Sequence, residues 1–295
     1  MIRIAMLGCD SSHTETYTQL INSQNSVFSN KAKLEWLWGT NHEQAKSKGS
    51  SLDIMNVCDN IEDAIKDADL VFVSNRFGDD HFFPAKIALE KKKAVYIDKP
   101  FTNNHQETLE LSKISAENNV PLYSFSAYRF SNEVQKTMEQ IYSSQNLIGG
   151  TFSCPADCKD IPDLRVKDIH WYGVHITDII VALFGTDFIS VFAQKSEKGW
   201  WVNLTHKSGM HFTLNFTINA NDFLHYSIYH RESVVHQNIA TDGTYYANTL
   251  SFLLNNLKTH EKQQIMLKQA CKSIEILDCI IESEKTKKEV YLKNN

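Results

Sequence analysis

Residues 3–13, RIAMLGCDSSH, decide how this chain is read. The apolar run from Ile2 to Leu7 has the length and composition of a buried strand, and Gly8 supplies the turn that follows it. Ser12 with Glu15 three residues later forms a capping box, which predicts a helix starting at Ser12. Strand, glycine turn and helix in that order open a doubly wound parallel sheet, whose first turn holds a dinucleotide diphosphate when it reads G-x-G-x-x-G. Here only Gly8 is present. Asp10 fills the position of closest backbone approach, and His13 the position where helix meets strand. A carboxylate at that approach repels a diphosphate, and its Cβ crowds the backbone. The free amides of a helix start still favour an anion, and Asp10 has two further readings: acceptor for a ribose or substrate hydroxyl, or stabiliser of the turn.

Outward from this turn the same grammar continues to Phe125. IRIAML, KLEWLW, DLVFVS, AVYID and PLYSF alternate with amphipathic stretches such as DNIEDAIKDA and FFPAKIALEKKK, whose apolar residues recur three and four apart. The expectation is an α/β N-terminal Rossmann domain, residues 1–125, with a doubly wound parallel sheet. The second strand ends at Thr40 and Asn41, without the acidic residue that takes an adenosine ribose, so NAD and NADP both stay open.

After the helix NEVQKTMEQIYSS the pattern changes at LIGG. One helix around YGVHITDIIVALFG is followed by strands joined at SEKG, HKSG, NAND and HRES, and two closing helices lie near YYANTLSFLLNNLK and IMLKQACKSIEILDCIIESEK. In MHFTLNFTI, Phe212, Leu214, Phe216 and Ile218 alternate with His211, Thr213, Asn215 and Thr217, the period of a half-covered strand. This predicts an α+β C-terminal domain, residues 126–295, built on a largely antiparallel, open-faced sheet. Its Phe- and Ile-rich face suggests pairing of subunits into a homodimer or homotetramer through the open side.

At 295 residues, two domains are the natural reading. A net charge of -5, with basic residues scattered apart from Lys91–Lys93, offers no field for nucleic acid. The lysine triplet reads as the solvated end of a helix. IIVALF is far shorter than a membrane span, and the start MIRIAML lacks a signal-peptide core, so a soluble, cytoplasmic protein is expected. Six cysteines form neither a disulfide framework nor a zinc spacing, and the closest pair, Cys154 and Cys158, reads as bystander thiols. NLT and NFT match glycosylation sequons but fall in predicted strands.

Two segments carry chemistry. VYIDKPF ends a strand in Asp98, Lys99 and Pro100, placing a lysine at the carboxyl edge of the sheet, where it can protonate or polarise a substrate oxygen. In DIHWYGVHITD, Asp168, Trp171, Tyr172, His175 and Asp178 share one helical face. An imidazole there has a phenol and a carboxylate in reach, the alternative being a core histidine satisfied by Asp178.

Together these residues resemble the glucose-fructose oxidoreductase, inositol dehydrogenase and MocA family (Gfo/Idh/MocA). Asp98-Lys99-Pro100 resembles its Glu-Lys-Pro element, and Gly173, His175 and Asp178 resemble three fixed positions of its Asp-x-Gly-x-His-x-x-Asp helix. AYRFSNEVQKTMEQIYSSQNLIGG and IEILDCIIESEKTKKEV resemble the linking segment and closing helix. The resemblance implies hydride transfer between NAD or NADP and a sugar, polyol or related small-molecule substrate, with Lys99 and His175 assisting the proton and Tyr172 and Asp178 beside them. It implies a cofactor-facing set of Gly8, Asp10, Ser11, Ser12, His13, Thr40, Asn41, Ser74, Asn75, His81, Asp98 and Lys99. Trp171 replaces the family's first Asp, Tyr172 being the residue able to relay its proton, and extra residues precede His81. Trp171, Trp200 and Trp201 are available to stack on sugar faces or to pack a core. Two other readings stand beside this one: a non-catalytic nucleotide- or sugar-binding regulator, favoured by the altered turn, and a metal-dependent hydrolase or lyase using His170, His175 and Asp157, with metal ligation otherwise not expected.

Overall fold

The alternation of buried apolar runs with amphipathic segments folds as the spacing predicts. In the computed structural model, which describes residues 1–142, 146–157, 165, 168–221, 223–257 and 260–293, the chain divides into two compact units. One comprises Met1–Phe125 with Tyr246–Leu267, the other Ser126–Tyr245 with Lys268–Asn295.

The first unit contains β1 (Ile2–Leu7), α1 (Ser12–Asn22), β2 (Ala32–Trp38), α2 (His42–Ser51), β3 (Asn56–Val57), α3 (Ile61–Ile65), β4 (Leu70–Val73), α4 (Phe82–Glu90), β5 (Ala94–Ile97), α5 (His105–Asn118) and β6 (Leu122–Ser124). Its six strands are all parallel, in the order β3-β2-β1-β4-β5-β6. β4 is buried at every residue and β1 at its last four, as central strands covered on both faces must be. Only the two-residue β3 has no counterpart among the predicted strands.

Two local readings change. The N-cap of α1 is Ser11, whose hydroxyl accepts the His13 N–H at 3.1 Å, and Ser12 is the first helical residue. Glu15 does not close a capping box, because its carboxylate pairs with Lys48 of α2. A long-range ion pair thus replaces the local bond that the motif implied.

The second unit contains α6 (Asn132–Tyr142), β7 (Leu147–Pro155), α7 (Ile169–Phe184), β8 (Phe188–Ser196), β9 (Gly199–His206), β10 (His211–Thr217), β11 (His225–His230) and β12 (Val234–Asn238). It is followed by α8 (Thr244–Asn256), α9 (His260–Thr286) and β13 (Val290–Tyr291). The seven strands run in the order β12-β11-β7-β10-β9-β8-β13, antiparallel except for β7 beside β10. The residues of α8 from Tyr246 onward pack with the first unit, although the sequence placed all of 126–295 in one domain. Tyr123 donates its hydroxyl to Asn256 O at 2.8 Å and meets the Phe252 ring edge-on.

The apolar face of β10 is covered, not open. Phe212, Leu214 and Phe216 are buried, Phe212 lies 4.5 Å from the Phe184 ring of α7, and a Cβ on Gly173 would stand 3.1 Å from Phe216. That glycine lets α7 lie close on the sheet. The uncovered face carries Asn203, His211, Thr213 and Asn215 with the half-exposed Trp201, so the half-covered strand that the alternation predicts is present, its Phe-rich side inward.

Candidate active site

In the first unit the strands β1 and β4 converge on the opening turn. Gly8 adopts φ +114°, and a Cβ there would lie 2.4 Å from Asn75 N and 2.7 Å from Ser74 C, so both conformation and space demand glycine. Thr14, which the sequence reading did not single out, closes the turn by donating to Gly8 O at 3.0 Å. Ser74, expected to face a cofactor, is turned inward onto Met6 Sδ, Thr14 Oγ1 and Gly8 O.

A cleft of about 200 Å³ opens at the carboxyl ends of these strands, lined by Cys9, Asp10, Thr40, Asn41, Gln44, Asn75 and Asp80. Four expected cofactor-facing residues, Asp10, Thr40, Asn41 and Asn75, therefore line one cleft. Asn41 caps α2 by accepting the Gln44 N–H at 3.0 Å, which leaves its amide nitrogen directed elsewhere. Asn75 Oδ1 is enclosed with no hydrogen-bond partner among the described residues, as expected of a group awaiting a ligand. Cys9 and Gln44 were not expected here. Burial, then the neighbouring Asp10 carboxylate, push the Cys9 thiol above its usual range.

His13 and Asp98, two of the departures from the family's pattern, meet each other. The His13 ring pairs through Nδ1 with Asp98 and through Nε2 with the Tyr246 hydroxyl at 2.7 Å. Burial alone would raise the Asp98 carboxyl, but the His13 charge and hydrogen bond, with Lys99 and His81 behind them, bring it down to about 2. An ionised carboxylate thus lies beside the buried Lys99 at the end of β5. His81 is fully buried, with Nε2 2.7 Å from Asn75 O and Nδ1 2.7 Å from Pro100 O, so it ties the β4 end to the Lys99-Pro100 segment. The extra residues before it form a single helical turn, Gly78–Asp80. Ser11 and Ser12 lie at the start of α1, Ser11 engaged as its cap.

In the second unit, His175 is buried on α7 with Nδ1 2.6 Å from Ser126 Oγ. Tyr172 and Tyr128 present ring edges to it, at centroid distances of 4.7 and 4.8 Å. The predicted phenol is therefore present, but the predicted carboxylate is not its orienting partner. Asp178 accepts Arg129 Nε at 2.9 Å, Arg129 Nη2 at 2.6 Å and Ser126 N–H at 3.1 Å. Burial raises the Asp178 carboxyl, while Arg129 and the amide work against that rise. Helical spacing put Asp178 and His175 on one face, but the guanidinium takes the carboxylate. Ser126, Tyr128 and Arg129 were missed as site residues, although the quoted AYRF segment contains two of them. The residue that orients the imidazole is 49 positions away in the chain.

Asp168 caps α7 and, with Asp278, brackets the buried His170 at 2.7 and 2.9 Å. Asp157 accepts Asn219 N–H, so His170, His175 and Asp157 are engaged separately, and among the described residues no group of three or more His, Cys, Asp or Glu side chains is placed to hold a metal. Trp171 and Trp200 are buried while Trp201 is exposed. Cys158, of the Cys154 pair, lies outside the described residues. No helix among the described residues is long and apolar enough to cross a membrane.

Comparison with known proteins fits this geometry. Residues 2–125 match the family described as GFO_IDH_MocA, oxidoreductase family, NAD-binding Rossmann fold. No curated protein matches the chain by sequence. Among solved structures, a putative myo-inositol dehydrogenase from Sinorhizobium meliloti shares 14% identity at a TM-score of 0.83, covering 99% of this chain and 100% of that one. The myo-inositol dehydrogenase from Lactobacillus casei in complex with NAD(H) and myo-inositol shares 11% at 0.82, covering 100% and 98%. An oxidoreductase from Agrobacterium radiobacter in complex with NAD+, L-tartaric acid and magnesium shares 12% at 0.77, covering 98% of each. Residues 2–125 thus match the Gfo/Idh/MocA family of NAD-binding oxidoreductases, and the all-parallel first sheet with a mostly antiparallel second one is the two-domain fold that the chain shares with these structures.

Proposed function

We propose that this protein oxidises or reduces a CH–OH carbon of a sugar, polyol or related small hydroxylated molecule with NAD or NADP. One observation carries the reading: Lys99 is buried at the carboxyl edge of the parallel sheet, beside a carboxylate held ionised by His13. A buried lysine with a built electrostatic environment at a ligand-binding edge is where proton-handling groups are found.

The cleft residues fit a dinucleotide: the strand ends converge at Gly8, and the enclosed Asn75 Oδ1 has an unmet acceptor. The cofactor, when bound, supplies the hydride acceptor or donor. Lys99 holds the reacting oxygen by an N–H bond and offsets charge that develops on it. When the alcohol is oxidised, the C–H hydride would go to the cofactor and the O–H proton to a base, for which the second unit offers His175, its ring oriented by Ser126 and flanked by Tyr172. Reduction runs the same transfers backward. Asp178 acts through Arg129, by fixing the Ser126 segment, and touches no reacting atom in this scheme.

The proposal includes self-association into a homodimer or homotetramer through the uncovered face of the second sheet, around Trp201, which sedimentation tests. For the chemistry, purified protein is titrated with NADH and NADPH by tryptophan-to-nicotinamide energy transfer. Sugars, polyols and hydroxy acids, starting with myo-inositol and L-tartrate, are then followed at the nicotinamide absorbance. Absence of response to both nucleotides refutes the reading. Binding with no turnover across the panel favours the non-catalytic regulator instead.

A further inference from the structure

The cleft has hydroxyl and amide groups suited to a dinucleotide, but its altered opening turn calls for a cation to receive the diphosphate. Its lining contains Asp10 and Asp80 and no cation. The basic side chains of the adjoining α2 are engaged elsewhere: Lys48 pairs with Glu15, Lys46 with Glu43, and His42 faces Asp59.

Arg76, in the loop after β4, is placed differently. Its backbone N–H donates to Asp10 Oδ1 at 3.1 Å, and its Nε donates to the Asp10 carbonyl oxygen at 2.8 Å. The arginine thus holds Asp10 by side chain and main chain together, drawing the carboxylate toward the loop. Its guanidinium makes no ion pair, and Nη1 and Nη2 make no hydrogen bond, among the described residues. With Nε fixed at the turn, the remaining N–H groups form a preorganised fork, the shape that receives two phosphate oxygens.

We infer that Arg76 binds the diphosphate of the dinucleotide cofactor, supplying by guanidinium what the family's second glycine supplies by close backbone approach. The inference rests on the nicotinamide-nucleotide reading above. It also accounts for Asp10, whose negative charge is tolerable only with a cation held against the same residue.

The test compares wild type with Arg76→Ala and Arg76→Lys, using NADH, NADPH, ADP and adenosine as probes. Thermal unfolding confirms that the variants are folded, and Arg76→Gln serves if Arg76→Ala is not. Loss of a hydrogen-bonded charge contact predicts about 10- to 100-fold weaker NADH, NADPH and ADP binding. Adenosine is unaffected, and Arg76→Lys falls between. The salt dependence of NADH binding flattens in Arg76→Ala, which a merely structural role does not produce. NADH affinity within about twofold of wild type in Arg76→Ala overturns the inference, against the loss expected from such a contact. So does equal weakening of adenosine, or weakening of NADPH alone, which marks a contact to the ribose phosphate. A wild type that binds none of the four removes the cofactor reading itself, and Arg76's role with it.

Discussion

Replacing His170 by Gln tests how the histidine-bearing helix α7 is anchored. The ring is buried, with Asp168 on Nδ1 and Asp278 of α9 on Nε2. Burial disfavours its charge, but the two carboxylates prevail and raise its pKa from 6.5 to about 9. At about 1.4 kcal/mol per unit, that shift stabilises the fold by about 3 kcal/mol. Because the carboxylates are 41% and 37% exposed, solvent screening trims this to about 2 kcal/mol. The folded-state pKa is raised, so the stabilisation is fully present below 6.5 and is lost as pH rises through about 9. Urea unfolding of wild type and His170→Gln at pH 6, 7.5 and 9.5 reads the difference directly. The wild-type advantage should be about 2 kcal/mol at pH 6, smaller at 7.5 and near zero at 9.5. An advantage that stays constant across that range refutes the charged-clamp argument, leaving a packing contribution only.

Lys99→Ala should lower kcat by about 10²- to 10⁴-fold on any substrate found, measured at the nicotinamide absorbance, and undiminished turnover removes its role. Gly8→Ala forces a Cβ to 2.4 Å from Asn75 N at a positive φ, which should destabilise by about 3 kcal/mol or more or abolish soluble expression. A variant that folds normally and binds NADH like wild type contradicts the reading of the turn. Arg129→Ala leaves the Asp178 charge buried without its guanidinium, at about 3–5 kcal/mol. Arg129→Met with Asp178→Leu should recover much of that loss in urea unfolding, and equal destabilisation of single and double variants argues against the pair.

The sheet architecture was legible because it is periodic. Four consecutive buried residues in LVFV, or alternation in HFTLNFT, report neighbours on the same few residues of chain, and burial of one face follows from the pattern alone. The positions of Lys99 at a strand end and of His175 on its helix, the residues proposed to carry the chemistry, were legible for the same local reason. Partners across the chain were not. The alternation in β10 said that one face is covered but not by what: α7, beginning more than thirty residues upstream, lies close on that face at Gly173. Helical spacing joined Asp178 to His175, whereas an arginine 49 residues away claims the carboxylate. His13 and Asp98, 85 residues apart, each looked like a loss from a known motif, and folding shows them to be one hydrogen-bonded pair. Hydropathy periods encode which face is buried because burial needs no specific partner. Hydrogen bonds and ion pairs do need one, and which partner arrives is decided only when distant strands and helices close on each other.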